Sequence, residues 1–282
     1  MQKQFPRTAV EGVSLPRMLI GTNWMMGYSH KSASADAYIR HNNQNPQAVA
    51  AIIEAFMENG VDAIMGCISQ EESLINGIKL AEEHTGKGVI RIDTPIINMN
   101  NTPEGRRDAE KRIKLVKDGG AAFCMPHHSC VEQLVNKHTE TIDRLPDYLT
   151  MIRDNGMIPG LSAHMPELIV YSDANEYDVQ TYIQIFNCLG FLMQVEIEYI
   201  HRVITSAEKP VMTIKPMAAG RVSPFVGLTF SYGALRDCDM VTVGCMTPEE
   251  AREDAEIGMA VLERRSPDIE GRNSPVKTSI IK

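Results

Sequence analysis

Along this chain the apolar residues follow two habits. Short unbroken runs have the look of strands covered on both faces, and longer segments whose apolar positions return every three or four residues have the look of helices with one buried face. Residues 14–22, Ser-Leu-Pro-Arg-Met-Leu-Ile-Gly-Thr, are the first such run, broken at Gly21. Asn45-Pro46 then reads as an N-cap with proline at the first helical position. It opens a helix on Val49, Ile52, Ile53 and Phe56 that stops at Asn59-Gly60. The same grammar repeats, with strands expected over 61–67, 88–95, the start of 121–130, 158–162, 177–187, 210–216 and 240–244. Helix starts follow at Ser69-Gln-Glu-Glu72, a capping box, at Thr102-Pro103-Glu104, near Pro146 and Leu192, at Ser223-Pro224, and at Thr247-Pro248-Glu249-Glu250.

Eight β-then-α units in roughly 250 residues match a closed (β/α)8 TIM barrel, and residues 1–263 are expected to form it. A doubly wound sheet that binds nucleotides would carry a GxGxxG turn after its first strand, and Gly21-Thr-Asn-Trp-Met-Met-Gly27 is not one. One connection is out of scale. Residues 25–45 form a long stretch between strand and helix, with His30, Lys31, Arg40 and His41, and are expected to be a lid-like loop over the barrel mouth that brings His30 to the substrate. Residues 264–282 read as a polar tail outside the barrel, whose last residues, 278–282, are expected to pack on it or on a second subunit.

Composition narrows the partners. With 43% hydrophobic residues the chain can bury a large core, and its net charge of −8 with scattered basic residues argues against a nucleic-acid groove. The start lacks the apolar core of a signal peptide and no run reaches a membrane span, so a cytoplasmic protein acting on a small molecule is expected, with a homo-oligomer left open. Six cysteines without a CxxC pair read as reduced, mostly buried thiols, and the 17 methionines as core filler.

The chemistry gathers at strand ends. The run beginning at Ala121 stops at His127 and His128, at the carboxyl end of a strand, where barrels place their ligands. Asn23, Trp24, His30, Asp93, His164, Asn187 and Lys215 are expected at the same mouth. His127, His128, Asp93 and Lys215 are the catalytic candidates, and Asn23, Trp24, His30, His164 and Asn187 the substrate-binding ones. Asp93, His127 and His164 would suit Zn²⁺, Fe²⁺ or Mn²⁺, and the competing reading leaves these side chains as loop caps bonded to backbone. Lys215, flanked by Ile214, Pro216 and Met217, could instead lose its proton and form a Schiff base. Gly220 and Arg221, with Gly244 and Thr247, precede helix starts and are expected to hold an anion; an ordinary helix cap is the simpler alternative.

Three segments resemble the aldo-keto reductase superfamily: Gly160-Leu-Ser-Ala-His164, Val211-Met-Thr-Ile-Lys-Pro-Met-Ala-Ala-Gly220, and Met240-Val-Thr-Val-Gly244 with Thr247-Pro-Glu-Glu250. They are similar to that family's fifth, seventh and eighth strands. The resemblance implies a barrel that binds NADP(H), with cofactor phosphates near 220 and 244. It also implies carbonyl reduction through an Asp, a Tyr, a Lys and a His. Here only the histidine has a counterpart, in His127 or His128. Met65 or Gly66 falls near the aspartate position, no tyrosine follows, and Asp93-Thr94-Pro95 stands where the lysine belongs. A phenol near pKa 10 needs that lysine and aspartate to act near neutrality, so ordinary reduction is not expected. The leading expectation is a divergent, non-redox barrel enzyme of isomerase, lyase or hydratase type, acting on a small carbonyl or sugar-like substrate, with metal assistance an option and NADP less favoured. The alternatives are an NADP(H)-dependent reductase with a histidine proton donor, and a barrel that binds a ligand or partner without catalysis.

Overall fold

The structure, a computed structural model, describes residues 4–43 and 45–269. Eight strands form the inner stave ring: β1 Met18–Gly21, β2 Ala63–Gly66, β3 Ile90–Asp93, β4 Phe123–Cys124, β5 in two pieces at Ile158–Pro159 and Leu161–Ser162, β6 Tyr182–Ile185, β7 Val211–Ile214 and β8 Met240–Val243. All neighbours pair in parallel. The β8 strand pairs with β1, and the two pieces of β5 pair with β4 and β6 on either side, which closes the ring. The expected (β/α)8 barrel is therefore the observed fold. The break in β5 falls at Gly160, where a Cβ would come within 2.7 Å of Met125 and 2.9 Å of the Thr181 carbonyl. A side chain there would push the stave off its neighbours.

Two apolar layers hold the barrel. Inside, Leu19, Ala63, Met65, Ile92, Phe123, Met125, Ile183, Met212 and Met240 fill the ring. Outside, the second faces of the strands meet the helices, with Val49, Ile52, Ile53 and Phe56 among the buried contacts. An antiparallel hairpin, Arg7–Val10 with Val13–Pro16, adds Val10 and Leu15 to the inner core. Arg7 to Asp62, just before β2, at 2.9 Å, and Arg153 to Glu11 at 2.8 Å tie this hairpin to the amino ends of the strands, so it plugs the bottom. The 14–22 run is thus two elements, the second hairpin strand and β1. Arg17 between them turns its guanidinium to the Arg236 and Asp239 carbonyls.

The cap chemistry read from sequence is present at four helices. Asn45, Thr102, Ser223 and Thr247 each accept a backbone N–H of their own first turn, each followed by proline, at α3 Pro46–Met57, α5 Pro103–Asp118 and the later helices Pro224–Ala234 and Pro248–Leu262. At Ser69 the reading is corrected. Residues Ile68–Gln70 form a 3₁₀ turn, and α4 Glu72–Thr85 begins without a side-chain cap, because the Ser69 N–H is taken by Asp93 at 2.8 Å. The 25–45 connection is likewise no open loop. It folds into α1 Asn23–Met26 and α2 Ala33–Asn43, joined by a turn in which Asp36 accepts the Ser29 N–H and hydroxyl. Expectations for residues 270–282 lie outside the described residues.

Candidate active site at the barrel mouth

The carboxyl end of β4 runs through Met125 and Pro126 into His127, which caps the short α6, His128–Val131. Ser129 fixes the His127 ring: its N–H donates to Nδ1 at 3.3 Å and its hydroxyl lies 2.8 Å away. With Nδ1 accepting, the neutral ring carries its proton on Nε2. His128 lies next to it, ring centroids 4.2 Å apart, and stacks on His164 from the end of β5 at 3.6 Å with 20° between the planes. Burial, the His128 charge and Lys215 hold His164 down at about 3. Burial and then His128 hold His127 at about 4. Both rings are neutral at physiological pH.

Lys215 enters from the end of β7. Its backbone sits in the left-handed region, φ 62°, uncommon for a side chain of this size. Burial lowers its pKa to about 8. Among the described residues no carboxylate pairs with it; its recorded partner is His30, Nζ to Nε2 3.2 Å. The segment after β1 therefore does reach the mouth, through His30, itself at φ 56° and lowered in pKa by burial and then by Lys215. Arg40 does not come along, because its guanidinium donates to the Gly27 carbonyl.

Glu132 was missed by the sequence reading. It lies one helical turn beyond His128, and its Oε1 accepts the backbone N–H groups of His164, at 2.5 Å, and Met165, at 2.9 Å. Its Oε2 is 3.7 Å from His128 Nδ1. Burial pushes the carboxyl up, but His128 and the two N–H groups outweigh it and hold it below the usual range. The signal available was the His128-x-x-x-Glu132 spacing.

Several expected site residues do other work. Asp93 is 2% exposed and spends its oxygens on the Ile68 and Ser69 N–H groups, at 3.1 and 2.8 Å, so it staples the loop after β2 and is not grouped with His127 and His164. The metal set Asp93, His127, His164 is corrected accordingly. The described residues whose ligand atoms gather are His128, Glu132 and His164, all within 4.8 Å of one another. Asn187, fully buried, uses its amide on Leu189 N, Phe191 N and the Phe191 carbonyl, shaping the loop after β6 rather than facing substrate. Asn23 is exposed at the start of α1.

Around Gly220, Arg221, Gly244 and Thr247, where an anion is expected, the groups have partners within the chain. The Trp24 indole lies against both glycines: a Cβ on Gly220 or on Gly244 would come within 3.3 Å of it. At the start of the Pro248–Leu262 helix, Glu250 accepts the Met246 N–H at 2.7 Å and Thr247 accepts the Glu250 N–H at 3.2 Å, a capping box. Arg221 donates to the Ala218 carbonyl and lies 3.9 Å over the Phe191 ring, and Arg252 pairs with Glu58. A Cβ on Gly66 would sit 1.8 Å from Thr22 Oγ1.

Burial raises Asp93 to about 6, above the unfolded value near 4. Folded protein then binds more protons than unfolded protein between those values, so the Asp93 contribution grows as pH falls from about 6 to about 4 and is lost as pH rises through 6. Comparing urea midpoints of wild type and Asp93→Asn at steps across this window is expected to show the wild type gaining relative to the variant on acidification. A difference independent of pH would overturn this.

Six described cysteines are free thiols, and no described helix is long and apolar enough to cross a membrane. No family model matches the sequence, and no curated protein does. Solved structures match in shape. A Pseudomonas aeruginosa protein provisionally designated an aldo-keto reductase superposes with TM-score 0.67 at 10% identity, covering 93% of this chain and 98% of that one. An aldo-keto reductase from Klebsiella pneumoniae in complex with NADPH gives 0.53 at 15% identity, covering 100% and 94%. Orotidine 5'-monophosphate decarboxylase from Methanocaldococcus jannaschii gives 0.51 at 16% identity, covering 86% and 98%. At such identities the likeness concerns the fold alone, and the fold does not choose a reaction. The chain has the TIM-barrel fold of the aldo-keto reductases.

Proposed function

We propose that this barrel is a non-redox enzyme that moves a proton on a small carbonyl or polyhydroxylated substrate. The observation that carries the reading is Lys215, an ammonium without a carboxylate partner among the described residues, beside His30 at the barrel mouth where His127, His128 and His164 stack. An unpaired, half-buried ammonium costs folding energy, and an oxyanion formed during reaction is the partner it lacks. Its charge also lowers the pKa of His30, His127 and His164. In the proposed step a neutral imidazole of the stack takes a proton from the carbon next to the carbonyl. The electron pair moves onto the carbonyl oxygen, which Lys215 holds as an enolate. For an α-hydroxy carbonyl, return of the proton to the former carbonyl carbon, with the α-hydroxyl proton passing to the former carbonyl oxygen, gives isomerisation; departure of a β-hydroxyl, protonated by His127 Nε2–H, gives elimination of water.

The test is proton exchange. Small α- and β-hydroxy carbonyl compounds incubated with enzyme in D₂O are expected to take up deuterium next to the carbonyl, followed by NMR, and His127→Asn is expected to slow the elimination of water by about 10²-fold or more. A panel without exchange, or exchange untouched by substitution at His127, His128 and Lys215, would sink the reading.

The reductase alternative meets its own test. Trp24, the only tryptophan, lies against Gly220 and Gly244, where the family resemblance expects cofactor phosphates; in the non-redox reading NADPH leaves its fluorescence unchanged after correction for absorption. Saturable quenching at micromolar NADPH, with turnover of a simple aldehyde, would restore a reductase using a histidine as proton donor.

A further inference from the structure

We propose that His128, Glu132 and His164 form a binding site for one first-row divalent cation, with Zn²⁺ as the reference ion, open on the side of the barrel mouth. The site goes beyond the proton-transfer reading, and its test uses no substrate. The donor set is two imidazoles and one carboxylate drawn from two successive strand ends, a combination that holds such ions with positions left for water or a substrate oxygen. Their ligand atoms already lie within 4.8 Å of one another, where donors around a tetrahedral ion stand roughly 3.4 Å apart.

Glu132 makes this more than a chance grouping. Its Oε1 is held by the N–H groups of His164 and Met165, which fixes the carboxylate plane and leaves Oε2 toward His128. Partners of this kind orient a metal-binding carboxylate before the ion arrives. They also lock α6 to the end of β5, so that the two histidines cannot drift apart. His127 stands outside the set with Nδ1 spent on Ser129. When bound, the cation would polarise a substrate oxygen beside Lys215.

The experiment uses the whole chain, stripped with chelator and then given Zn²⁺ or Co²⁺ alone. One equivalent per chain is expected to survive desalting by elemental analysis, and Co²⁺ to give visible bands of a low-symmetry site. Glu132→Gln and His164→Asn are each expected to weaken affinity by at least tenfold, while His138→Asn, remote from the set, leaves it unchanged. Because either variant could misfold, the wild type is also treated with a histidine-acylating reagent and mapped by mass spectrometry; Zn²⁺ is expected to shield His128 and His164 but not His138. Failure to retain stoichiometric metal, wild-type affinity in Glu132→Gln, or equal labelling with and without Zn²⁺ overturns the site. Loss of stoichiometric metal binding would reject this site and leave the proton-transfer reading standing; a metal-loaded protein that exchanges no protons would overturn that reading and leave the site standing.

Discussion

Replacing Lys215 with methionine is expected to lower turnover by about 10²–10³-fold while raising the thermal midpoint. The first effect follows from the role given to the ammonium: it meets negative charge that exists only in the transition state and intermediate, so its loss falls on kcat more than on KM. The second follows from linkage. The folded pKa, about 8, lies below the unfolded value near 10.4. Between those values the unfolded chain binds more protons, so the Lys215 contribution to stability rises with pH across that window. At neutral pH the charged group is a net cost, which methionine removes. Both side chains share the strained backbone at φ 62°, so strain cancels in the comparison. Activity is expected to be flat below about 8 and to fall above it as the ammonium is lost, and Lys215→Arg to carry that limb to higher pH. A methionine variant keeping more than a tenth of the activity, or an alkaline limb unmoved in the arginine variant, would refute the assignment.

Gly66→Ala is expected to destabilise the fold by about 3 kcal/mol or more, a fall of roughly 6–12 °C in thermal midpoint for a domain of this size. The new Cβ would lie 1.8 Å from Thr22 Oγ1 and 2.9 Å from Thr22 Cβ and Cγ2. No rotamer of Thr22 relieves a clash with its own Cβ, so β1 and β2 must separate at the mouth. Adding Thr22→Gly removes all three contacts, and the double variant is expected to recover more stability than the two single changes predict by addition. Calorimetry showing Gly66→Ala within about 1 kcal/mol of wild type would refute the steric account.

Barrel and helix starts were legible in the sequence because they depend on local chemistry. Asn45, Thr102, Ser223 and Thr247 cap their own helices, and apolar runs without polar alternation can be satisfied only inside a two-faced layer. Ser69 shows where local signals fail: it has the capping spacing, but a buried carboxylate from the next strand claims its N–H. The 25–45 connection shows the same limit from the other side. Its mean apolar content is low, and α2 holds by burying Ile39 and Asn43 against the barrel.

The site divides along the same line. The sequence alone determined that histidines and a lysine stand just past strand ends, since strand position and residue type are both local properties. Only the tertiary structure decided which side chains meet. Closing the ring sets the spacing between staves that are tens of residues apart, and that spacing stacked His128 on His164, brought His30 to Lys215, drew Glu132 into the cluster and kept Asp93 out of it. Cross-stave distance has no sequence period to read, because it depends on how the barrel closes and on which backbone N–H groups, once buried, must find an acceptor.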